Sequence, residues 1–516
     1  MTAIAPERRA EGARTASPSS ALPLPWGMAV AFLSGALTTL SFPPTRLPGA
    51  VLLGAAAGMW AMARMPSGRR GAACGLAWGL GFGSLMFRWA LELDLVAYLG
   101  LVPLQAAFWA LTGAAVARTA RSGLDGRWVV TVAAVWTLVE AIRARWPLSG
   151  FEWGQLGLAS ADLPVREAAA VVGALGLTGL TVAVAASLVV LANRPARWRP
   201  LALSILAVGV LTGVGMLPWT SDDGELTVAV VQVDDPCPGE FAADCPNLRA
   251  RLLEALVAGT AGLEDEPDLL LWGEGTLRAD SPEEAGEVLH QDAGTLPAPL
   301  LAGITNPGEP GRYHNRNVLY DTDGEVLAHY SKRKPVPFGE YVPWRSTLGG
   351  IAEVGRLVPS DAIPGEDAVP MDVSGGRSAT LGTVVSWEVT FSRLVRDAGR
   401  VGQGVAALTT QASYGPDQPV SDQLLGAAQL RAAELDQPVI VAATTGRSAV
   451  AMPGGELVGS TALYAGDTLE IDVPLRSGST PYALWGEVPI IVVAAGVIGA
   501  MWWSRRDSNP RTVVPG

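Results

Sequence analysis

The sequence predicts an integral membrane protein with eight spanning helices and one large α/β domain outside the cytoplasm. Of its 516 residues, 49% are hydrophobic and only 17% are charged, a composition too apolar for a soluble enzyme of this size. Long apolar segments crowd the first 217 residues, whereas Asp and Glu are concentrated between about residues 221 and 480. This asymmetry separates a membrane part from a water-exposed part.

Eight apolar segments have the composition of membrane-spanning helices, which need about 20 mostly apolar residues. They lie near residues 24–42, 48–65, 71–91, 95–117, 128–145, 166–192, 199–217 and 485–503. The alternative, buried helices of a soluble core, is disfavoured because seven segments crowd residues 24–217 with barely enough polar sequence between them to turn the chain. We expect no cleaved signal peptide, because no small-residue cleavage site follows the first segment.

Arginine predicts the orientation, because short cytoplasmic loops carry the excess of Lys and Arg. The two tails and the even-numbered connectors are rich in it: Arg8, Arg9, Arg14, Arg64, Arg69, Arg70, Arg118, Arg121, Arg127, Arg194, Arg197, Arg199, Arg505, Arg506 and Arg511. The first and third connectors are poorer in arginine, and the fifth is mixed. We therefore expect the tails, residues 1–23 and 504–516, to be cytoplasmic, and the segment between the seventh and eighth spans to lie outside the plasma membrane.

That segment, residues 221–482, alternates short apolar runs with helical patterns, which predicts an α/β sandwich. Continuous apolar runs bounded by turn residues predict buried strands. They cover residues 226–233, 268–272, 381–385, 405–410 and 438–444. The stretch 423–435 has helical periodicity instead.

The positions of the cysteines and histidines and the net charge indicate which bonds, metals and partners to expect. If the domain lies outside the cytoplasm, we expect Cys237 and Cys245 to form a disulfide. The three histidines, His290, His314 and His329, are scattered, so we expect no metal site. The net charge of −12, without a basic stripe, argues against nucleic acid as a partner.

Three short motifs place polar side chains beside apolar strands. One is Trp272–Gly273–Glu274, and another is VVSWE at 384–388. The third, YSKRKPVPFGEYVP at 330–343, contains Lys332 and Lys334, the only lysines in the chain. Because the chain otherwise uses arginine, these lysines indicate a need for a compact, tunable amine. Chance in an arginine-biased composition is the alternative.

Together the motifs resemble the apolipoprotein N-acyltransferase family, a membrane-embedded branch of the nitrilase (carbon–nitrogen hydrolase) superfamily. The most specific part is the VPFGEYVP run from Val336 to Pro343. The resemblance covers nearly the whole chain and implies a nitrilase-like α-β-β-α domain between the seventh and eighth spans. It extends to Arg431 and Glu434, for which an ordinary ion pair on a helix surface is the alternative.

The resemblance also implies roles for particular residues. Glu274 would be the general base, Lys332 the cation that stabilises the tetrahedral oxyanion, and residue 386 the nucleophile. Glu340 and Glu388 would shape the pocket, although Glu388 has the alternative of a solvated strand end.

The implied reaction is ping-pong and needs no cofactor. An acyl chain leaves a phospholipid, rests on the nucleophile, and passes to the α-amino group of the diacylglyceryl-cysteine of a lipoprotein. The partners are therefore the phospholipid donor, diacylglyceryl-modified lipoproteins and the membrane itself. Trp153 stands where the family has an aromatic-rich loop near the lipid entrance, with anchoring at the membrane interface as its alternative.

One departure from the family affects the chemistry directly. Residue 386 is serine where the family has cysteine. Two interpretations follow: a working acyltransferase with a serine nucleophile, or a catalytically impaired homologue that binds lipid or lipoprotein or anchors a partner enzyme. Amide hydrolysis is disfavoured, because a water-soluble amide needs no eight-span platform. The proline of the family's WPE motif is also replaced, by Gly273.

Overall fold

The computed structural model describes residues 22–234, 247–348, 358–374, 378–414 and 419–507. A helix lies in each of the apolar segments of the first part of the chain. These helices are α1 (Leu24–Thr39), α2 (Ala50–Ala63), α3 (Gly68–Met86), α4 (Ala90–Leu93), α5 (Leu95–Ala120), α6 (Gly126–Arg143), α7 (Ala169–Asn193) and α8 (Arg199–Gly215). Helix α7 is interrupted at Gly173, whose φ is 64°.

Two described helical segments, Leu95–Ala120 and Pro164–Asn193, are long and apolar enough to cross a membrane. The others that are apolar are shorter: Leu24–Thr39, Ala50–Ala63, Arg199–Gly215 and Val488–Ser504. The number of spans therefore stays a prediction.

Glycine allows α1, α3 and α5 to pack closely. A Cβ on Gly35 would lie 2.0 Å from the carbonyl oxygen of Trp78, and one on Gly75 would lie 2.1 Å from that of Trp109. Small residues let the backbones of apolar helices approach each other in this way. The Trp78 and Trp109 rings are fully buried at the contact, with their centroids 5.3 Å apart.

The domain that follows α8 is built on two sheets. Its strands are β1 (Thr220–Gln232), β2 (Leu269–Arg278), β3 (Leu300–Pro307), β4 (Arg312–Tyr320), β5 (Val326–Ser331), β6 (Asp361–Ala362), β7 (Met371–Val373), β8 (Ala379–Val385), β9 (Val405–Thr409), β10 (Val439–Ala443), β11 (Ala449–Ala451), β12 (Leu457–Ser460) and β13 (Asp467–Gly478). The first sheet has the order β13-β1-β2-β3-β4-β5, with β6 beside β4, and the second has the order β12-β11-β10-β9-β8-β7. The predicted strands are confirmed as β1, β2, β8, β9 and β10.

Seven further α-helices follow α8 in the described part of the chain. They are α9 (Leu248–Ala261), α10 (Pro282–Ala293), α11 (Arg345–Leu348), α12 (Ser392–Val401), α13 (Val420–Leu435), α14 (Pro481–Trp485) and α15 (Val488–Asp507). One apolar core lies between the sheets and includes Leu271 and Leu408. Helices α9 and α10 pack on the first sheet, and α12 and α13 pack on the second. This α-β-β-α arrangement confirms the α/β sandwich.

Helix α13 is covered on both sides, because it lies between the second sheet and the helical bundle formed by α1–α8 and α15. Every residue from Val420 to Leu435 except Asp422 is buried. Polar contacts to the bundle run along its length: Gln423 accepts a hydrogen bond from the Trp153 indole at 2.8 Å, and Gln429 donates one to Asp162 at 3.2 Å. The α/β domain is therefore packed on the bundle by a shared helix.

The pair Arg431–Glu434 lies in this interface, which corrects the interpretation of a surface ion pair. Their atoms Nη1 and Oε2 are 2.6 Å apart, and the side chains are 0% and 1% exposed. Glu434 also accepts a hydrogen bond at 2.8 Å from the backbone N–H of Ala174, immediately after the break in α7 at Gly173. Burial raises the pKa of Glu434 to about 7, against the opposing charge of Arg431.

Replacement of Arg431 by methionine should destabilise the interface, because it leaves Glu434 buried without its counter-ion. We expect a loss of about 3 kcal/mol and a lower apparent Tm, measured by intrinsic fluorescence in detergent. Arg447→Met is the matched control, because Arg447 and Asp422 form a partly exposed pair at 3.6 Å, for which we expect less than about 1 kcal/mol. Equal shifts in the two variants would contradict the structural role of the buried pair.

Candidate active site

Glu274 lies in an irregular part of β2. The pairing of β2 with β3 shifts register between Trp272 and Leu277, on either side of Glu274. Such a bulge changes the direction in which a side chain points. The Glu274 carboxylate is buried and accepts a hydrogen bond from the backbone N–H of Thr410, after β9, at 3.2 Å. The preceding residue, Gly273, lies against the backbone of Thr444 with no room for a side chain, since a Cβ there would be 2.2 Å from the Thr444 nitrogen.

Lys332 follows β5, and its amine lies between two carboxylates. Nζ donates to Glu274 Oε1 at 3.1 Å and to Glu340 Oε1 at 2.9 Å. Asn315, on β4, donates Nδ2 to the same two oxygens at 2.8 Å and 3.0 Å. The backbone N–H of Val336 donates to the other Glu340 oxygen at 2.7 Å. The structure thus brings together three of the predicted site residues in one cluster.

The surroundings of Lys332 favour the protonated form of its amine. Burial alone would lower its pKa, but the charges of Glu274 and Glu340 outweigh burial and raise the pKa above that of an ordinary lysine. Lys332 is 2% exposed, so water screens its charge little. A buried cation of fixed position suits the stabilisation of an oxyanion.

Ser386 is the first residue after β8, and its φ is 56°. This left-handed conformation is uncommon for residues other than glycine and is often found at functional sites. A 3₁₀ turn, Ser386–Thr390, leads the chain away from the strand. The side chain is half-buried, so the hydroxyl group lies at a sharp turn at the end of a buried strand, where nucleophiles are commonly presented.

Glu388 connects the serine turn to the lysine segment. Its Oε2 accepts from the backbone N–H of Val385 at 2.8 Å and from the Tyr330 hydroxyl at 2.9 Å. Its Oε1 accepts from the backbone N–H groups of Arg333 and Lys334, both at 2.7 Å. Glu388 is 0% exposed, so the interpretation as a solvated strand end was wrong. Burial raises the pKa of Glu388, against the hydrogen bonds from Val385 and Tyr330.

Tyr330 was missed in the sequence. It is buried at the end of β5, two residues before Lys332, and burial raises its pKa well above the usual value for tyrosine. Its hydroxyl therefore stays protonated at physiological pH and donates a hydrogen bond to Glu388. Alternation along β5 was the available signal, because Tyr330 and Lys332 lie on the same face of the chain.

The second lysine does not join the carboxylate cluster. The Lys334 ammonium lies 3.6 Å from the centroid of the Phe391 ring and donates to the carbonyl oxygen of Ser149, in the loop after α6. Its own carbonyl oxygen accepts from the Trp387 indole at 2.5 Å. Burial lowers the pKa of Lys334 to about 8. Of the two lysines that the sequence singled out, Lys332 therefore belongs to the carboxylate cluster, and Lys334 connects the site to the bundle.

Trp153 is buried between the domain and the bundle, so it is not an anchor exposed at the membrane interface. Arg143 donates to its carbonyl oxygen at 3.0 Å, and Arg143 is itself paired with Glu140 at 2.7 Å. The Trp153 ring lies 5.0 Å from that of Trp89, which in turn contacts Tyr414 at 5.9 Å. These three aromatic rings thus form a continuous series of contacts from the bundle towards the site.

The predicted disulfide between Cys237 and Cys245 lies outside the described residues. Over the ranges that the structure describes, no group of three or more His, Cys, Asp or Glu side chains is arranged to hold a metal ion.

The described site contains the chemical groups that acyl transfer through a covalent intermediate requires. A carboxylate, a buried ammonium and a strand-end hydroxyl are the groups that such a reaction needs as base, electrostatic stabiliser and nucleophile. Hydrogen bonds from β4 hold β8 in place, because Asn317 donates to Thr383 Oγ1 at 2.6 Å and to the carbonyl oxygen of Val384 at 3.2 Å.

Comparison with known proteins matches two family profiles. The apolipoprotein N-acyltransferase N-terminal domain matches residues 34–187, and the carbon–nitrogen hydrolase domain matches residues 268–480.

Whole-length relatives agree with these profiles. The apolipoprotein N-acyltransferase of Brucella suis is 29% identical and covers 93% of this chain and 97% of its own. That of Allorhizobium ampelinum is 30% identical and covers 82% of this chain and 85% of its own. Among solved structures, an amidase from Nesterenkonia sp. is 20% identical, with a TM-score of 0.33, over 49% of this chain and 92% of that one.

Replacement of Glu388 by glutamine should slow acyl-enzyme formation about a hundredfold, because the serine turn and the lysine segment lose the carboxylate that joins them. An amide has one acceptor oxygen, and its NH₂ group would face backbone donors. The rate would be measured by mass spectrometry of the acylated protein, and we expect kcat to fall more than KM rises. Tyr330→Phe, which removes one of four donors, should cost only a few-fold; an equal loss in both variants would argue against this positioning role.

Proposed function

Because the chain belongs to the apolipoprotein N-acyltransferase family, we propose that it moves an acyl chain from a phospholipid to the α-amino group of a diacylglyceryl-cysteine lipoprotein. The observation that carries this proposal is the cluster of Glu274, Lys332 and Glu340, with contacts of 3.1 Å and 2.9 Å to the buried amine. An enclosed cation between two carboxylates is costly to bury, and its presence in the site supports a catalytic use.

In the first half-reaction the Ser386 hydroxyl attacks the ester carbonyl of the phospholipid. Glu274 accepts the hydroxyl proton as the bond forms, and Lys332 stabilises the negative oxygen of the tetrahedral intermediate. The intermediate collapses to an ester on Ser386, and the lysophospholipid leaves as an alcohol after it takes the proton from Glu274.

In the second half-reaction the lipoprotein amine attacks this ester. Glu274 accepts a proton from the attacking nitrogen, and the Ser386 oxygen takes that proton as it leaves, so the amide forms and the enzyme is restored. An oxygen ester is less activated towards amines than a thioester is, so we expect this second step to limit turnover.

A second candidate function rests on Ser386 itself. A hydroxyl is a much weaker nucleophile than a thiolate and needs its base during attack. A catalytically impaired homologue that binds lipid or lipoprotein would keep the same pocket and lose the transfer reaction.

A product assay separates the two functions. The purified protein, phospholipid and a synthetic diacylglyceryl-cysteine peptide would be incubated in liposomes, and N-acylated peptide would be detected by mass spectrometry. We expect product from the natural protein and at least about a thousandfold less from Ser386→Ala, because the nucleophile is lost.

Ser386→Cys is the matched variant, and we expect it to be faster than the natural protein, because its intermediate is a thioester. Product from Ser386→Cys alone would contradict the natural protein's activity and support the binding role.

We also propose that both tails lie in the cytoplasm and that the α/β domain lies outside it, as the arginine-rich connectors indicate. A periplasmic-type phosphatase reporter fused after residue 220 should be active, and one fused after Arg194 should be inactive. The reverse pattern would contradict this topology. The comparison needs no enzymatic turnover, so its result is independent of the role of Ser386.

A further inference from the structure

Helix α12 (Ser392–Val401) presents a basic face away from the sheet. Val395 and Ala398 are buried against the domain, whereas Arg393 and Arg400 are exposed and Arg396 is half-buried. Residues at these spacings share one side of a helix. We call Arg393, Arg396 and Arg400 the basic face of α12.

The basic face has no counter-charge within the described part of the chain. None of its three guanidinium groups forms an ion pair there. The one acidic residue of the helix, Asp397, is paired with Arg333 at 3.1 Å. Arg396 Nε is buried and has no hydrogen-bond partner among the described residues. In a chain of net charge −12, three unpaired arginines within eight residues indicate an anionic ligand.

Helix α12 lies at the rim of the bundle, where two of its helices meet the domain. Arg145, just after α6, pairs with Glu487, just before α15, at 2.5 Å. Arg396 packs against Gly486, because a Cβ there would lie 1.8 Å from Arg396 Nη1. Helix α12 is therefore level with the ends of two apolar helices.

Exposed tryptophans mark the same level. Trp146, after α6, is 65% exposed, and Trp485, before α15, is 63% exposed. Tryptophan is enriched where a helix leaves the hydrocarbon of a bilayer for the headgroups. With the proposed topology, the basic face of α12 is thus placed among lipid headgroups.

We propose that the basic face of α12 binds the phosphate groups of anionic phospholipids and holds the outer leaflet beside the active site. This proposal rests on the proposed function and topology and deepens them, since it places a headgroup contact on the helix that follows the Ser386 turn. Guanidinium groups bind phosphate oxygens through paired hydrogen bonds.

Lipid selectivity at the protein surface tests the proposal without any turnover. The full chain would be placed in phosphatidylcholine bilayers with a trace of spin-labelled phosphatidylglycerol or spin-labelled phosphatidylcholine. Electron paramagnetic resonance would then give the relative association of the two labels with the protein. We expect the natural protein to prefer the anionic label, and this preference to weaken with added NaCl.

The double variant Arg393→Gln/Arg400→Gln should reduce that preference about fivefold or more, because each cation near an anionic surface contributes roughly that factor. Both residues are exposed, so the change should leave the fold intact, and Arg396 keeps its contact with Gly486. The matched control is Arg278→Gln/Arg312→Gln, two exposed arginines on the first sheet, which should leave the preference unchanged.

Three outcomes would overturn the proposal. One is an unchanged preference in Arg393→Gln/Arg400→Gln, and another is an equal loss in the control. The third is a loss of preference in inorganic phosphate that exceeds the loss in NaCl at the same ionic strength, which would assign the face to free phosphate. Failure of the acyl-transfer assay with the lipid preference intact would count against the proposed function alone.

Discussion

The burial of α13 on both sides is the constraint on which the rest of the structure depends. In an isolated α-β-β-α sandwich the outer helices face water on one side, but α13 packs on the second sheet and on the bundle, and only Asp422 of its residues is not fully buried. Its contacts with Trp153, Asp162 and Ala174 fix the domain in one orientation. Strands β8 and β9 pack against α12 and α13. The serine turn at the end of β8 is therefore held in one position relative to the bundle.

Within that frame, the charges of the site are divided between two separate sets of contacts. Lys332 is enclosed by Glu274 and Glu340, so a single amine contacts two carboxyl groups. The Glu388 carboxylate instead accepts hydrogen bonds from three backbone N–H groups and from the Tyr330 hydroxyl. In the proposed mechanism the first set takes part in proton transfer through Glu274. The second set joins the serine turn to the lysine segment, so we expect chemistry and positioning to depend on different carboxyl groups.

Sequence alone predicted the layers of the domain and the members of the charge cluster, because both depend on local patterns. Apolar runs predicted β1, β2, β8, β9 and β10, and the resemblance of the short motifs to a known family predicted Glu274, Lys332, Glu340 and Ser386. It could not predict contacts that form only when distant segments pack together. The contact of Lys334 with Ser149, the burial of Arg431–Glu434, and the four donors of Glu388 all depend on how the domain docks. Residue type alone was a poor guide for Arg431 and Glu434, since an ion pair at this spacing is equally suited to a solvated helix surface.

Docking also changes what a serine nucleophile requires. An oxygen ester resists amines more than a thioester does, so transfer from Ser386 depends on holding the acceptor amine close for long enough to react. A lipid-anchored acceptor is confined to the bilayer beside the site, which raises its effective concentration without any contact to the peptide. In the proposed mechanism the buried cation of Lys332 acts on both tetrahedral intermediates, and confinement of both substrates to the bilayer compensates for the weaker leaving group by proximity.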